Sequence, residues 1–166
     1  PNIDLSGSEN GIVPLPDDVD PLFSAVASRY THIVAPNEDL IQILIQDDFT
    51  TEQILHARRV LESYLVDIPG SDWGSSKSLI ANAIATTNAI LFLLNDESEY
   101  ENQNLWTLID SGVQGQDLLA TEVHPEGSPA YMNSSERDAT YEEILHFVHG
   151  FGIQLAAPGM QNAIED

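Results

Sequence analysis

Glu142, Glu143, His146 and His149 fall within eight residues of one another. Glu142, His146 and His149 stand at i, i+4 and i+7, a spacing that brings a carboxylate and two imidazoles to one band of a helix, with Glu143 one step round. Carboxylate oxygen and imidazole nitrogen are ligands of a divalent metal such as zinc, so this band is a candidate metal site. The chain has five histidines in all, which makes the concentration local. A plainer reading stands beside it. Glu143 completes a capping box with Thr140, Glu142 favours the positive helix end, and the two histidines are ring residues with hydrogen-bonded nitrogens.

The element that must position these groups is a predicted helix from Asp138 to Gly152. Thr140 and Glu143 have the capping-box spacing, Asp138 is a competing cap, and Gly150 and Gly152 supply the stop. Tyr141, Ile144, Leu145 and Val148 form its expected core-facing stripe. The best further ligand is His124, at the end of a predicted edge strand over Leu118 to Val123 and beside Pro125, although a surface-loop histidine is an equal reading. His56 is expected at the surface of its helix.

Other chemistries find less. No serine stands in a GxSxG-like elbow, and there is no glycine-rich phosphate loop. Glu142 and Glu143, being adjacent on a helix, do not face a common point as a catalytic pair would.

The remaining elements set an α+β expectation: a small sheet with packed helices. Tyr30 to Ala35 is a predicted strand ended by Pro36-Asn37. Leu40 to Ile45 is apolar throughout, and a short helix or irregular segment is favoured there. Thr50 to Leu65 is the clearest helix, capped by Thr50 with Gln53. A second helix, Ser76 to about Ala85, is expected to bury Leu79, Ile80, Ala83 and Ile84. Ala89 to Leu94 has the continuous apolar run of a central strand. Residues 125–137 form a long loop, and no long element is expected after Gly152.

The expected organisation is an extended N-terminal tail, residues 1–22, and one domain, residues 23–166. The tail has few apolar groups, Ile3, Leu5, Ile12, Val13 and Leu15. Too few to offset its own ordering entropy, they must be ordered by the domain body or by a neighbouring chain.

Composition narrows the partners. Of 166 residues 42% are hydrophobic, enough to fold, and 27 acids against five basic residues give a net charge of −22. Such a surface repels phosphate backbones, which argues against nucleic acid, and attracts divalent cations. It suits an extracellular or saline setting. Residue 1 is proline, which reads as processing, a removed signal peptide being the expected cause. With no cysteine there is no disulfide or thiolate chemistry. No run is long enough to span a membrane. Asn133-Ser134-Ser135 is a glycosylation sequon.

Two resemblances add to these readings. Glu142-Glu143-Ile144-Leu145-His146 resembles the HExxH helix of zincin metallopeptidases with Glu in place of the first His. That resemblance implies Glu142 and His146 as zinc ligands and Glu143 as general base. More broadly, Ile33-Val34-Ala35, His56-Ala57-Arg58-Arg59-Val60-Leu61, Ile90-Leu91-Phe92, His124-Pro125 and the Glu142 helix together resemble an uncharacterised family of secreted microbial proteins. Members tend to carry a calcium-loop-like stretch, of which Val66-Asp67-Ile68-Pro69-Gly70-Ser71-Asp72 retains few acids.

The leading expectation is therefore a secreted, acidic, zincin-like metal-binding domain, a divergent metallohydrolase. Its metal ligands would be Glu142, His146, His149 and His124, and Glu143 its catalytic base. The rival expectation is a non-catalytic subunit of an extracellular assembly or filament, self-associating through residues 1–22.

Overall fold

A computed structural model describes residues 2–133 and 137–165. Its centre is a five-stranded mixed sheet in the order β1-β2-β3-β4-β5. The strands are β1 (Val13–Pro14), β2 (Arg29–Val34), β3 (Leu40–Ile45), β4 (Ile90–Leu94) and β5 (Gly115–Leu119). The first three run antiparallel and the last three parallel. Helices accompany it, beginning with the short α1 (Pro21–Ser24), giving the expected α+β class.

Alternation along the strands divides two cores. Ile41, Ile43, Leu91, Leu93 and Leu118 face one way. Against them lie α2 (Thr51–Leu65), α3 (Ser78–Thr87) and α6 (Thr140–Val148). Leu44, Ile90, Phe92 and Leu94 face the other way, where α4 (Gln103–Asp110) docks through Leu105 and Leu108. The β3–β4 connection thus crosses one face and the β4–β5 connection the other, while both step the sheet in the same direction. The two crossovers therefore have opposite hands, and one departs from the right-handed rule for parallel strands.

The tail is ordered by the domain body. Ile3 is buried in the second core, and Val13 pairs with Tyr30 of β2. The Thr31 hydroxyl donates to the Gly11 carbonyl at 2.7 Å, and the Arg58 guanidinium donates to that of Asn10.

Several expectations are corrected. Leu40 to Ile45 is a strand and not a helix. It is buried on both faces between β2 and β4, and a run apolar on both sides carries no period to distinguish the two states. Asn37-Glu38-Asp39 makes the hairpin turn into it, with Glu38 at φ 69°. On α3 the buried face holds Ile80, Ala81, Ile84 and Ala85, while Leu79 is 66% exposed.

The chain also continues past Gly152, through a π-helical turn (His149–Ile153) into α7 (Gln154–Ala156) and α8 (Pro158–Glu165). Gly150 and Gly152 are not among the glycines with positive φ, so neither acts as a helix stop. Gly152 answers to packing instead: a Cβ there would lie 2.6 Å from Ile80 Cγ2. The 125–137 segment contains a short helix, α5 (Pro129–Asn133). Of the sequon, only Asn133 is among the described residues.

Candidate functional site

Helix α6 lies against α2 and β5. Its buried face is Thr140, Ile144, Phe147 and Val148, with Tyr141 and Leu145 exposed, so the helix is rotated from the expected stripe. The expected capping box does not form. Asp138, the competing cap, accepts from the Thr140 N–H at 3.1 Å and from its hydroxyl at 2.5 Å. Glu143 is thereby free to reach β5, where its carboxylate accepts from Gln116 Nε2 at 2.9 Å.

The proposed metal ligands have separate partners. Glu142 is exposed and ion-paired with Arg137. His149 Nε2 lies 2.6 Å from Gln161 Oε1. His146 is exposed beside Glu143. His124 is buried on another element, its backbone N–H donating to Asp138 Oδ1 at 3.3 Å. Among the described residues no three His, Asp or Glu side chains are placed to hold a metal ion. The donor types suit a divalent ion, but as placed the set implied by the zincin resemblance does not fit one.

Glu143 is nonetheless electrostatically unusual. Burial pushes its carboxyl above the usual range, and the nearby Glu122, Asp117 and Glu142 add to the shift while His146 opposes it. Asp117 in turn accepts from the Tyr100 hydroxyl at 2.7 Å. Asp117 of β5, Glu122 just beyond it and Glu143 of α6 thus stand close together.

The sequence reading missed a second constellation. His56, expected at the surface, is 5% exposed, and its Nε2 lies 3.2 Å from Asp138 Oδ2. One carboxylate therefore joins α2, the His124 segment and the start of α6. Burial alone would raise the Asp138 carboxyl, but the bonds from Thr140, His124 and His56 outweigh it and hold it below the usual range. The sequence did carry one signal for His56: Val60, one helical turn on, is an apolar residue on the same face. Beyond His124 opens a cleft of about 740 Å³ bordered by Gln53, Arg59, Glu126 and Ser128.

In parallel sheets, ligand crevices open where neighbouring strands send their chains to opposite faces, here between the carboxyl ends of β3 and β4. That crevice is narrowed to a cavity of about 200 Å³ beside Gln46, Asp47 and Asn95. Gln46 accepts from the Asn95 N–H at 2.7 Å and donates to Glu99 and to the Val26 carbonyl.

The β5 edge is different. The Ile90 N–H donates to the Gln114 carbonyl at 2.9 Å, which turns Gln114, Gln116 and Leu118 toward β4. By alternation the backbone groups of Gly115, Asp117 and Leu119 point outward. Of these, the Leu119 N–H is taken by Glu122 and the Asp117 carbonyl by Gln116 Nε2. Behind this edge, on the α4 side, lies a pocket of about 520 Å³ walled by Phe92, Leu94, Tyr100, Leu105, Trp106 and Ile109. Trp106 is 46% exposed, and its indole N–H donates to the Tyr100 carbonyl at 2.7 Å. No helix among the described residues is long and apolar enough to cross a membrane. Comparison of the chain with protein-family models, curated proteins and solved structures finds no match.

Proposed function

We propose that this chain is a non-catalytic, acidic domain of an extracellular assembly, and that it engages other proteins through the outer edge of β5. The observation that carries this reading is the edge itself. By the alternation of the ladder, the Gly115 N–H and C=O and the Asp117 N–H turn away from β4. No turn, loop or side-chain bond to them occurs among the described residues, and a row of such groups is a template for another strand. The separate partners of Glu142, Glu143 and His149 support the non-catalytic half, since each donor is already engaged within the fold. The acidic surface suits a saline, extracellular setting.

A second reading keeps the α6 face as a divalent-cation site, as the zincin resemblance implies. One observation favours it. Glu143 carries raised proton affinity among Glu122, Asp117 and Glu142, and a cation would relieve that repulsion.

One experiment separates the two. The protein is purified without added ions, its metal content is measured, and its melting is followed with and without zinc. A metal-free protein indifferent to zinc agrees with the first reading and removes the second. Stoichiometric metal, or peptide cleavage abolished by a chelator, would overturn the first.

A further inference from the structure

We infer that the β5 edge takes an extended, basic polypeptide segment as an added strand, and that a large apolar side chain of that segment sits in the pocket beside Trp106. This rests on the edge-docking reading and adds the chemistry of the partner.

Backbone, pocket and charge point to the same occupant. Gly115 and Asp117 present outward donors and acceptors. A strand laid along them would send alternate side chains to each face of the sheet, one set toward the α4 side. There the pocket supplies apolar walls at Phe92, Leu105 and Trp106, and its 520 Å³ is in the range of sites that hold a large side chain. The Trp106 indole, tied to the Tyr100 carbonyl, is a fixed wall and not a free rotor.

Charge selects among occupants. Asp117 lines the pocket, and it and Glu122 both lie close enough to Glu143 to repel its carboxylate. A second copy of this chain, at −22, would bring like charge to that edge, whereas lysine or arginine on the incoming strand would be attracted.

The test uses the full chain and synthetic peptides, with binding followed by fluorescence anisotropy. The probe is a short, end-blocked peptide alternating lysine with valine and carrying one tryptophan. Replacing its tryptophan by serine, or substituting Trp106→Ala in the protein, should each weaken binding about tenfold. Trp106 is half-exposed, so the variant should fold, which circular dichroism checks. A glutamate-for-lysine peptide should not bind. Backbone N-methylation at alternate residues should abolish binding in one parity and leave it within about twofold in the other, because only one side of an added strand bonds to β5.

Tolerance of N-methylation in both parities would overturn strand addition. Equal binding of the acidic peptide would overturn the charge argument. A dimer in sedimentation that Trp106→Ala dissolves would make a second copy the occupant and overturn the proposal. Peptide binding by a protein that also holds stoichiometric metal would defeat the non-catalytic reading alone. No peptide binding by a metal-free protein would defeat this inference alone.

Discussion

The two edges of the sheet are built differently. At one, β1 is two residues long and ends in Pro14, and the tail that carries it sinks Ile3 into the core. A short, proline-bearing edge strand covered by its own chain offers little to a neighbour. At the other, β5 is five residues long, lies parallel to β4, and turns unpaired backbone groups outward beside an apolar pocket. Among the described residues it is guarded by the Glu122 and Gln116 side chains, which occupy the Leu119 N–H and the Asp117 carbonyl, and by negative charge at Asp117, Glu122 and Glu143. One edge is closed by structure and the other chiefly by electrostatics. An electrostatic closure stops like-charged copies and admits a partner of opposite sign.

That contrast can be broken most forcefully at Gly115. A Cβ there would overlap the Ile90 carbonyl oxygen and lie 2.6 Å from the Phe92 ring. Gly115→Val should therefore separate β5 from β4 and cost roughly 3 kcal/mol in urea unfolding. A cost near zero would show that the open edge is loosely held.

The closed edge is tested at Ile3. Ile3→Ala removes a buried anchor and should cost about 2 kcal/mol by the same measurement. If stability does not change, the tail does not seal the edge and its residues are open to a neighbour.

Screening of the surface charge should have a smaller effect. Raising the ionic strength should screen self-repulsion and stabilise the fold by about 1 kcal/mol, seen as a melting temperature higher by roughly 2–4 °C. A flat response would mean that the acids are already locally compensated.

The smallest effect belongs to Glu143. Its carboxyl binds a proton more tightly in the folded chain, so the stability this contributes is present below the ordinary carboxylate value and is lost as pH rises from there through the raised folded value. Glu143→Gln keeps an acceptor for Gln116 and removes the charge. It should stabilise the protein at neutral pH by less than about 1 kcal/mol, the group being partly solvated. The gain should vanish below the ordinary carboxylate range, where both forms are neutral. A loss of stability at neutral pH would show that the Glu143 charge is compensated.

What order in the chain decided by itself is local. The capping box of Thr50 with Gln53 forms as the spacing requires, because its bonds join residues three apart. The continuous apolar run at Ile90 to Leu94 is a buried strand, since a segment apolar on both sides and only a few residues long can be covered fully only inside a sheet. The acidity was likewise legible from composition alone.

Only the tertiary structure decided the rest. Leu40 to Ile45 has no period to choose between helix and strand, and β2 and β4 chose for it. The buried faces of α3 and α6 are turned from their expected stripes: on α3, Ala81 is buried and Gly152 of the π-helical turn packs closely against Ile80, while α6 is oriented by its packing on α2 and β5. The fate of the candidate ligands was hidden for the same reason. Helical spacing puts Glu142, His146 and His149 on one band, but Arg137, Gln161 and Gln116 lie elsewhere in the chain and claim the side chains of Glu142, His149 and Glu143. Which backbone groups remain unpaired is a property of strand order, and strand order depends on contacts between residues far apart in sequence.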